Sequence, residues 1–353
     1  MLAVFLVVSA WLDVDHIAVE QATPITTPDA LDQHLTESAA ADLIQLPTGV
    51  FVRSVAFVSS TDINVTGVIW QKYPKDFPYE KGISFAEEIE AFDTTVERAY
   101  SETVIFGGVP YDLVGYSFDV TVRQSFDYAR YPLDHLTLWL RLWPADWDAH
   151  KAVVFTPDFE SYTDTSRPVF GIDGDIVQGE WTIDETYFSY QNMPYDTNFG
   201  LAVAPAAQSE FFYNLAAQRK FINAFIINLV PLLVISLLLF LTLMTISGDR
   251  NQAVRFGFNT TGVLGTCSGL FFLVLLSHIQ VRSLFPGSGL VYIEYFYLVL
   301  YGMILLVALN GYLFSLIRFE HVTLLHWHDN FVAKVGFWPL LLWALVWVSW
   351  AVL

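Results

Sequence analysis

The fold of this chain is decided by residues 255–282, RFGFNTTGVLGTCSGLFFLVLLSHIQVR. Between the two flanking arginines lie 26 residues without a formal charge. That is enough to cross a bilayer as a helix, which rises about 1.5 Å per residue. Hydroxyls, an amide and four glycines interrupt the apolar run. Such a pattern is typical of a spanning helix that faces other helices or water rather than lipid.

One face of this predicted helix combines small, hydroxyl-bearing and large apolar side chains. Its members recur at spacings of four, three, four and three residues, which places them on one side of a helix: Gly257, Thr261, Leu264, Ser268 and Phe271. We predict that this face lines a pore. A packing face inside a helix bundle explains the same pattern, and this stretch alone does not distinguish the two.

The charge of the 353-residue chain is divided unevenly along its length. Residues 1–218 contain 32 acidic and 10 basic side chains, a balance of −22, whereas residues 219–353 contain 7 basic and 4 acidic ones, a balance of +3. An acidic aqueous part therefore precedes an apolar part. Nucleic acid is not an expected partner, because phosphate binding needs a basic surface. The acidic surface either concentrates cations or simply keeps an exported domain soluble.

We assign residues 1–48 to an N-terminal segment. Its first eleven residues are apolar, too short to span a bilayer and without a basic leader. They fit the remnant of a secretory signal slightly better than a short buried segment. Further on, Asp29 to Ala41 is predicted to form a short helix capped by Thr27 or Asp29. The single cysteine, Cys267, rules out a disulfide within the chain.

Residues 49–218 have the sequence pattern of a β-rich domain. Short runs of β-branched and aromatic residues are separated by Pro, Asp and Gly turns, without a long helical pattern. The predicted strands are Val50–Val58, Ile63–Tyr73, Tyr111–Arg123, Leu136–Trp143, Val153–Phe159, Glu180–Tyr190 and Glu210–Leu215. The acidic stretch Ser84–Ala99 is predicted as helix or loop, and its residues Glu87, Glu88 and Glu90 as a solvated face in preference to a cation site. The pattern favours an immunoglobulin-like β-sandwich.

Residues 219–353 contain four apolar segments, each long enough to span a bilayer: Phe221–Ile246, Phe256–Ile279, Leu290–Ile317 and Val335–Leu353. Basic residues flank the first and third connections, which marks the cytoplasmic side of a membrane. We therefore expect a multi-pass protein of the inner membrane, with the N-terminal domain and the C-terminus both outside. No nucleophile elbow, phosphate loop or zinc motif is present, so we expect neither an enzyme nor a cofactor nor a metal site.

Several motifs, in order along the chain, resemble those of the pentameric ligand-gated ion channels, the Cys-loop receptor family. Residues 126–134, FDYARYPLD, resemble the family's aromatic-Pro-x-Asp signature loop. The two bracketing cysteines of animal members are absent, as they are in bacterial members. Arg219 resembles the arginine at the membrane entry, Pro231 the first-helix proline, and Phe285-Pro286 the Leu-Pro after the second helix. The resemblance covers roughly residues 49–317.

The resemblance implies a homopentamer in which agonist binding opens a pore lined by the second spanning helix. It implies that gating is coupled through Tyr131, Pro132, Asp134, Arg219, Pro231 and Pro286. It also implies an aromatic ligand cage between subunits, to which a cation is attracted by ring faces. The residues in matching positions are Trp70, Trp143, Trp147, Tyr187, Tyr190 and Tyr195.

Two registers are open for the pore helix, because about eight residues more than usual separate Arg255 from Pro286. Counting from Arg255 puts the face of Gly257 on the pore, which suits an ion path with a hydrophobic gate. Counting back from Pro286 selects a drier face instead: Gly265, Gly269, Phe272, Leu276 and Ile279. We prefer the first register.

The sequence thus predicts a ligand-gated ion channel in the lipid bilayer, with cations favoured by the acidic outer domain. The agonist is a small molecule or an ion; an amine, a proton and a divalent cation all remain open. The alternative is a non-conducting, membrane-anchored ligand sensor, whose second spanning helix only packs against its neighbours.

Overall fold

The structure, a computed structural model, describes residues 5–7, 9, 11, 23–38, 40–89, 94–193, 195–197, 209–247, 259–316 and 329–353. The chain forms two compact units. The sheet unit comprises Ile17–Phe126 and His135–Arg219. The helical unit comprises Met1–His16, Asp127–Asp134 and Lys220–Leu353. The break between the β-rich and helical parts thus lies at Arg219 and Lys220, next to the predicted boundary of residues 218 and 219.

The sheet unit contains two five-stranded sheets. The first has the order β1-β9-β10-β7-β4, and the second has the order β5-β6-β3-β2-β8. The strands are β1 (Thr23–Ile25), β2 (Ile44–Phe57), β3 (Asp62–Pro74), β4 (Ile83–Phe85), β5 (Thr95–Phe106), β6 (Val109–Arg123), β7 (His135–Pro144), β8 (Val153–Pro157), β9 (Trp181–Asn192) and β10 (Ser209–Arg219). The pairing is antiparallel except between β2 and β8, which run parallel.

Alternating side chains of both sheets meet in one hydrophobic core. In β7 every second residue from Leu136 to Leu142 is buried, and in β3 the same alternation runs from Ile63 to Ile69. A period of two is what one buried face of a strand requires. Each of the seven predicted strands is present, with ends shifted by a few residues. The prediction of a β-rich first part is confirmed at the level of two sheets that share a core.

Three strands are missing from the sequence prediction. The most instructive is β5, because its first half falls in the acidic stretch predicted as helix or loop. Most of its side chains are exposed on both faces, so no alternation marks the strand. It is held instead by its backbone, which pairs with β6 from Thr95 to Phe106. The prediction for this stretch was wrong where β5 begins.

The N-terminal segment contributes structure to both units. The predicted short helix is present as α1 (Pro28–Glu37), and the Thr27 side chain accepts a hydrogen bond from the Ala30 N–H as its cap. In the helical unit, residues 5–7, 9 and 11 are helical. There Trp11 Nε1 donates to the Tyr292 hydroxyl over 2.9 Å. The interpretation of residues 1–11 as a signal remnant stays a prediction.

Four helices of the helical unit are long and apolar enough to cross a membrane. They are α2 (Phe221–Thr245), α3 (Thr260–Leu284), α4 (Tyr292–Ser315) and α5 (Phe331–Val352). The four predicted spans are thereby confirmed, and they are compatible with a multi-pass membrane protein. The predicted second span begins at Phe256, but residues 248–258 lie outside the described part of the chain, Gly257 included.

The proline of α2 coincides with a local widening of that helix. Residues Phe225–Leu229 form a π-helical turn directly before Pro231. Proline lacks an N–H and its ring clashes with the carbonyl four residues earlier, here that of Ile227. A π turn relieves that clash because it moves the carbonyl out of the ordinary hydrogen-bond position.

One stripe of α3 packs against the rest of the helical unit. It consists of Val263, Cys267, Leu270, Val274 and Val281. The approach to α4 is close at one point, since a Cβ added to Gly311 would lie 2.9 Å from Val263 Cγ1. A small residue at such a crossing lets two spanning helices pack tightly.

Trp70 of β3 lies over a glycine of the neighbouring strand. A Cβ added to Gly49 would overlap the indole ring. The indole Nε1 donates to Asp158 Oδ2 over 2.8 Å, and Lys72 Nζ reaches Asp158 Oδ1 at 2.7 Å. The glycine, the carboxylate and the lysine together fix this ring.

We predict that Gly49→Ala destabilises the protein by about 1–3 kcal/mol, because the new methyl group displaces the Trp70 ring. The measurement is the thermal unfolding midpoint of the detergent-solubilised full chain. Gly174→Ala is the control, since no atom lies within 4 Å of the added Cβ there. Equal midpoints for the two variants would contradict the prediction.

Candidate functional site

Arg141, in the middle strand of three, holds two carboxylates. The order β10-β7-β4 puts Glu210 and Glu87 on either side of it. Arg141 Nε lies 2.8 Å from Glu87 Oε1, and Arg141 Nη1 donates to Glu210 Oε2 over 3.2 Å. The side chains are only 13%, 15% and 10% exposed for Arg141, Glu87 and Glu210. Their mutual pairing offsets the cost of burying charge.

Aromatic side chains surround this ion-pair group. The Arg141 guanidinium lies 5.4 Å from the centre of the Trp143 ring, and the Tyr195 hydroxyl donates to Glu210 Oε1. The rings of Trp143 and Trp147 lie 6.3 Å apart, and His150 is 5.3 Å from the first and 4.7 Å from the second. We call this set the Arg141 cluster: Glu87, Arg141, Trp143, Trp147, His150, Tyr195 and Glu210.

Burial shifts the titration of three members of the Arg141 cluster. It raises the pKa of Glu87, an effect that the Arg141 charge partly offsets. It lowers the pKa of His150, which favours the neutral ring. Burial, together with the hydrogen bond to Glu210, raises the pKa of the Tyr195 hydroxyl, so the phenol stays protonated. Such perturbed groups are concentrated at functional sites.

The Arg141 cluster has the chemistry to hold a small polar ligand. Two carboxylates around one guanidinium leave an excess negative charge beside several ring faces, a combination that attracts cations. Glu87 Oε2, Arg141 Nε and Trp143 Nε1 are buried without a hydrogen-bond partner among the described residues, so one acceptor and two donors remain to be satisfied. In the described part of the chain, no three His, Cys, Asp or Glu side chains converge on a metal position.

The cluster contains three of the six predicted ligand residues: Trp143, Trp147 and Tyr195. Trp70 lies in the other sheet, where its indole N–H donates a hydrogen bond to Asp158. Tyr187 is buried. Tyr190 is fully buried, donates its hydroxyl to the Phe155 carbonyl at 2.5 Å, and stacks on His34 with ring centres 4.4 Å apart. Within one chain these three side chains support the sheets, and a ligand role for them stays a prediction.

The sequence prediction missed the charged half of the cluster: Glu87, Arg141, His150 and Glu210. One signal was available for Arg141. It alternates with Trp139 and Trp143 on one face of β7, and a charged side chain between two tryptophans needs a partner if that face is covered. The prediction of a solvated face is wrong for Glu87, whose side chain is 15% exposed and whose Oε1 lies 2.8 Å from Arg141 Nε. No local pattern indicated the pairing of either glutamate with Arg141, because both pairings depend on strand order.

Residues 127–134, between β6 and β7, belong to the helical unit. Tyr128 and Tyr131 are buried there, each with its ring centre 4.7 Å from that of Phe285. The Tyr131 hydroxyl also accepts a hydrogen bond from Asn228 Nδ2 over 3.4 Å. The Tyr131–Pro132 peptide bond is cis. This loop leaves the sheet unit at Phe126 and returns to it at His135.

The loop is bonded to the start of α4 through the backbone. The Tyr292 N–H donates to the Ala129 carbonyl over 2.7 Å, and the Ile293 N–H donates to the Tyr131 carbonyl over 3.2 Å. The preceding N–H, that of Val291, donates to Glu294 Oε2 over 2.9 Å. The first free donors of α4 are thus satisfied by the loop and by a side chain of the helix itself.

The remaining predicted coupling residues fall at the edges of these elements. Asp134 is buried in the helical unit. Arg219 ends β10, where it pairs with Glu180 at 3.0 Å and lies 4.1 Å from the Trp181 ring centre. Pro286 follows Phe285, the residue that caps the end of α3. Their roles in gating stay predictions.

The two registers proposed for α3 correspond to two sides of the observed helix. Leu264, Ser268 and Phe271 each follow a buried residue by one position, which is a rotation of about 100°. Phe271 there meets Tyr301 of α4, with ring centres 5.4 Å apart. Members of the other face each lie two positions from a buried residue, about 200° around the helix: Gly265, Phe272, Leu276 and Ile279.

Exposure within the chain differs between the two faces. Leu264 and Phe271 are each 38% exposed, whereas Phe272, Leu276 and Ile279 are 61%, 65% and 56% exposed. The face counted back from Pro286 is therefore the one that points away from the other described helices.

Comparison with known proteins yields no matching family model and no matching curated protein. The resemblance to pentameric ligand-gated channels therefore stays an expectation drawn from the sequence. What function the chain has must be inferred from the Arg141 cluster, the loop at residues 127–134 and the faces of α3.

We predict that Arg141→Met destabilises the protein by about 3–5 kcal/mol at pH 8, because two buried carboxylates lose their shared partner. The pKa of Glu87, already raised by burial, then rises further, so the variant loses stability relative to the parent as pH rises through the range in which this carboxyl ionises. The gap in unfolding midpoint between variant and parent is expected to be smaller at pH 5, where protonation of Glu87 removes part of the uncompensated charge.

Arg123→Met is the matched control for this experiment. Its side chain is 62% exposed and pairs with Asp62 on the surface, so we expect a loss of only about 0–1 kcal/mol. A gap for Arg141→Met that is the same at both pH values would refute the buried-pair interpretation.

Proposed function

We propose that the chain is one subunit of a homopentameric ligand-gated ion channel of the bacterial inner membrane type. A small or ionic agonist binds at subunit interfaces on the sheet unit and opens a pore lined by α3. The observation that carries this proposal is the loop at residues 127–134. It is covalently continuous with β6 and β7 of the sheet unit, yet its backbone satisfies the free N–H groups at the start of α4.

The Arg141 cluster is the proposed principal part of the agonist site. It lies on β7, the strand that directly follows the loop. A ligand that rearranges Arg141 and its two carboxylates acts on a strand whose first residue, His135, adjoins buried Asp134. Gating then requires the agonist to bind the open state more tightly than the closed one, since equal affinity shifts no population.

The pore wall is proposed to be α3. The exposure of its face opposite the buried stripe supports Phe272, Leu276 and Ile279 as the residues nearest the axis. Apolar rings of this kind close a pore by excluding water. The hydroxyl-bearing face of Thr261 and Ser268 is the alternative wall.

Cation conduction, with the sheet unit and the C-terminus outside, is part of the proposal. The balance of −22 in residues 1–218 attracts cations to the outer mouth. Arginines beside the first and third connections support an inner location for those two loops.

A cysteine scan from Thr261 to Ile279 tests the channel proposal without a known agonist. The parent carries Cys267→Ala, since Cys267 is the only cysteine in the chain. Each variant is reconstituted in liposomes and treated with a charged, membrane-impermeant methanethiosulfonate, whose addition is measured by mass. We expect one face to react about tenfold faster than the buried stripe, because only thiols in water form the reactive thiolate.

The identity of the reactive face distinguishes the two registers. Fast labelling at 265, 269, 272, 276 and 279 supports the face counted back from Pro286, and fast labelling at 261, 264, 268 and 271 supports the other. Uniform protection along α3 would indicate a non-conducting sensor instead. Particle images of the same preparation must also show five-fold symmetry.

A further inference from the structure

Among the described residues of the spanning helices, one carboxylate is fully buried, that of Glu294, which is 1% exposed. It lies in the first turn of α4 and has two partners on α3. Its Oε1 is 3.3 Å from His278 Nε2, and its Oε2 is 3.4 Å from Arg282 Nη1. An ionisable side chain within a spanning helix is costly, and where one is found it usually has a function and a partner.

The His278 ring occupies a slot formed by one face of α4. Glu294, Tyr297 and Tyr301 recur at spacings of three and four residues, so they line one side of that helix. His278 stacks on the Tyr297 ring at 5.2 Å and its Nδ1 lies 3.3 Å from the Tyr301 hydroxyl. The imidazole is therefore held on both edges and on one face.

Arg282, which contacts Glu294, also bonds to the segment that connects α3 and α4. Its Nη1 and Nη2 donate to the carbonyls of Gly289 and Ser288, each over 2.7 Å. The segment that joins α3 to α4 is thus folded back on the end of α3. Together with Glu294, these contacts define what we call the α3–α4 clasp: His278, Arg282, Glu294, Tyr297 and Tyr301.

The clasp differs in kind from the rest of the α3–α4 contact. Hydrogen bonds to a buried carboxylate add a directional constraint to the apolar packing, because a turn of α3 about its axis breaks them and leaves the charge unpaired. Glu294 Oε2 also accepts the Val291 N–H, next to the two N–H groups that bind the loop at residues 127–134. One carboxylate therefore contacts α3 and the end of α4 that holds the loop.

We infer that Glu294 is a positioning residue for the pore helix. It fixes the rotation of α3 through His278 and Arg282, and it links that rotation to the loop at residues 127–134. In the rotation seen here, the dry face of Leu276 points away from the bundle and the face of Leu264 is turned toward its flank. This inference rests on the proposed channel function.

The test measures the ratio of labelling rates at two reporter cysteines, Leu276→Cys and Leu264→Cys, each in the Cys267→Ala background. A rotation of α3 moves the two rates in opposite directions, whereas general loosening moves them together. We expect Glu294→Gln to change the ratio at least about twofold. A factor of that size corresponds to the smallest coupling energies measured between residues in contact.

Two further variants identify the contact responsible. His278→Gln is expected to change the ratio less than Glu294→Gln, because Arg282 still holds the carboxylate. If Glu294→Gln does not fold, His278→Gln provides the test in its place. Adding His278→Gln to Glu294→Gln is expected to change the ratio less than His278→Gln does in the parent, since the contact between Glu294 and His278 is already lost. Exchange of the two residues, His278→Glu with Glu294→His, is expected to restore the ratio only in part, because Arg282 and the Val291 N–H lose the carboxylate they bind.

Asn310→Ala is the control on the same helix. Asn310 exchanges two side-chain hydrogen bonds with Asn330, of 2.7 Å and 3.2 Å, on the side of α4 that meets α5. We expect it to lower the unfolding midpoint without a change in the ratio. An unchanged ratio in both Glu294→Gln and His278→Gln, in a parent with one reactive face, overturns the inference alone. Uniform protection of α3 in the parent overturns the proposed function, and this inference with it.

Discussion

The free N–H groups at the start of α4 impose the constraint on which the helical unit is organised. A helix begins with donors that have no partner inside the helix, and in an apolar environment each must find an acceptor. At α4 the acceptors are two carbonyls of the loop at residues 127–134 and the carboxylate of Glu294. A loop between two strands of the sheet unit and a side chain bonded to α3 thereby meet at one helix end. Displacement of that loop deprives α4 of acceptors unless the helix end follows it.

The elements that could be predicted from the sequence are those whose own pattern of apolar side chains shows which face is buried. The four spanning helices are longer than any other apolar runs, and β3 and β7 alternate because one face of each meets the core. The exposed strand β5 lacks such a pattern, because its position in the sheet depends on backbone pairing with β6. The same reason explains the candidate site. Its aromatic members stand in recognisable runs, whereas Glu87 and Glu210 reach Arg141 only because β4, β7 and β10 are neighbours.

Buried charge is used differently in the two units. In the sheet unit Arg141 has two carboxylates, so one negative charge remains in excess beside the rings of Trp143 and Trp147. In the helical unit Glu294 is the only fully buried carboxylate among the described residues of the spanning helices, and Arg282 offsets its charge. The first arrangement retains capacity for a cation, while the second leaves none. In the proposed channel, the excess charge of the Arg141 cluster suits a ligand site, and the balanced charge of the α3–α4 clasp suits a contact that fixes a helix.

In the proposed channel, the rotation of α3 determines which of its faces an ion would meet. With Glu294 bonded to His278, the side that points away from the bundle has Gly265 near its start and Leu276 and Ile279 near its end. The small residue leaves room, and the two large apolar ones remove water, so the narrow part of such a wall lies toward the end of α3. The hydroxyl of Ser268 lies about 100° away around the helix. A rotation of α3 that brought this hydroxyl to the side facing away from the bundle would make that side more polar. The contacts of the clasp oppose such a rotation. The polar contact that anchors α3 is therefore also the contact whose loss would most directly change the surface that the helix presents.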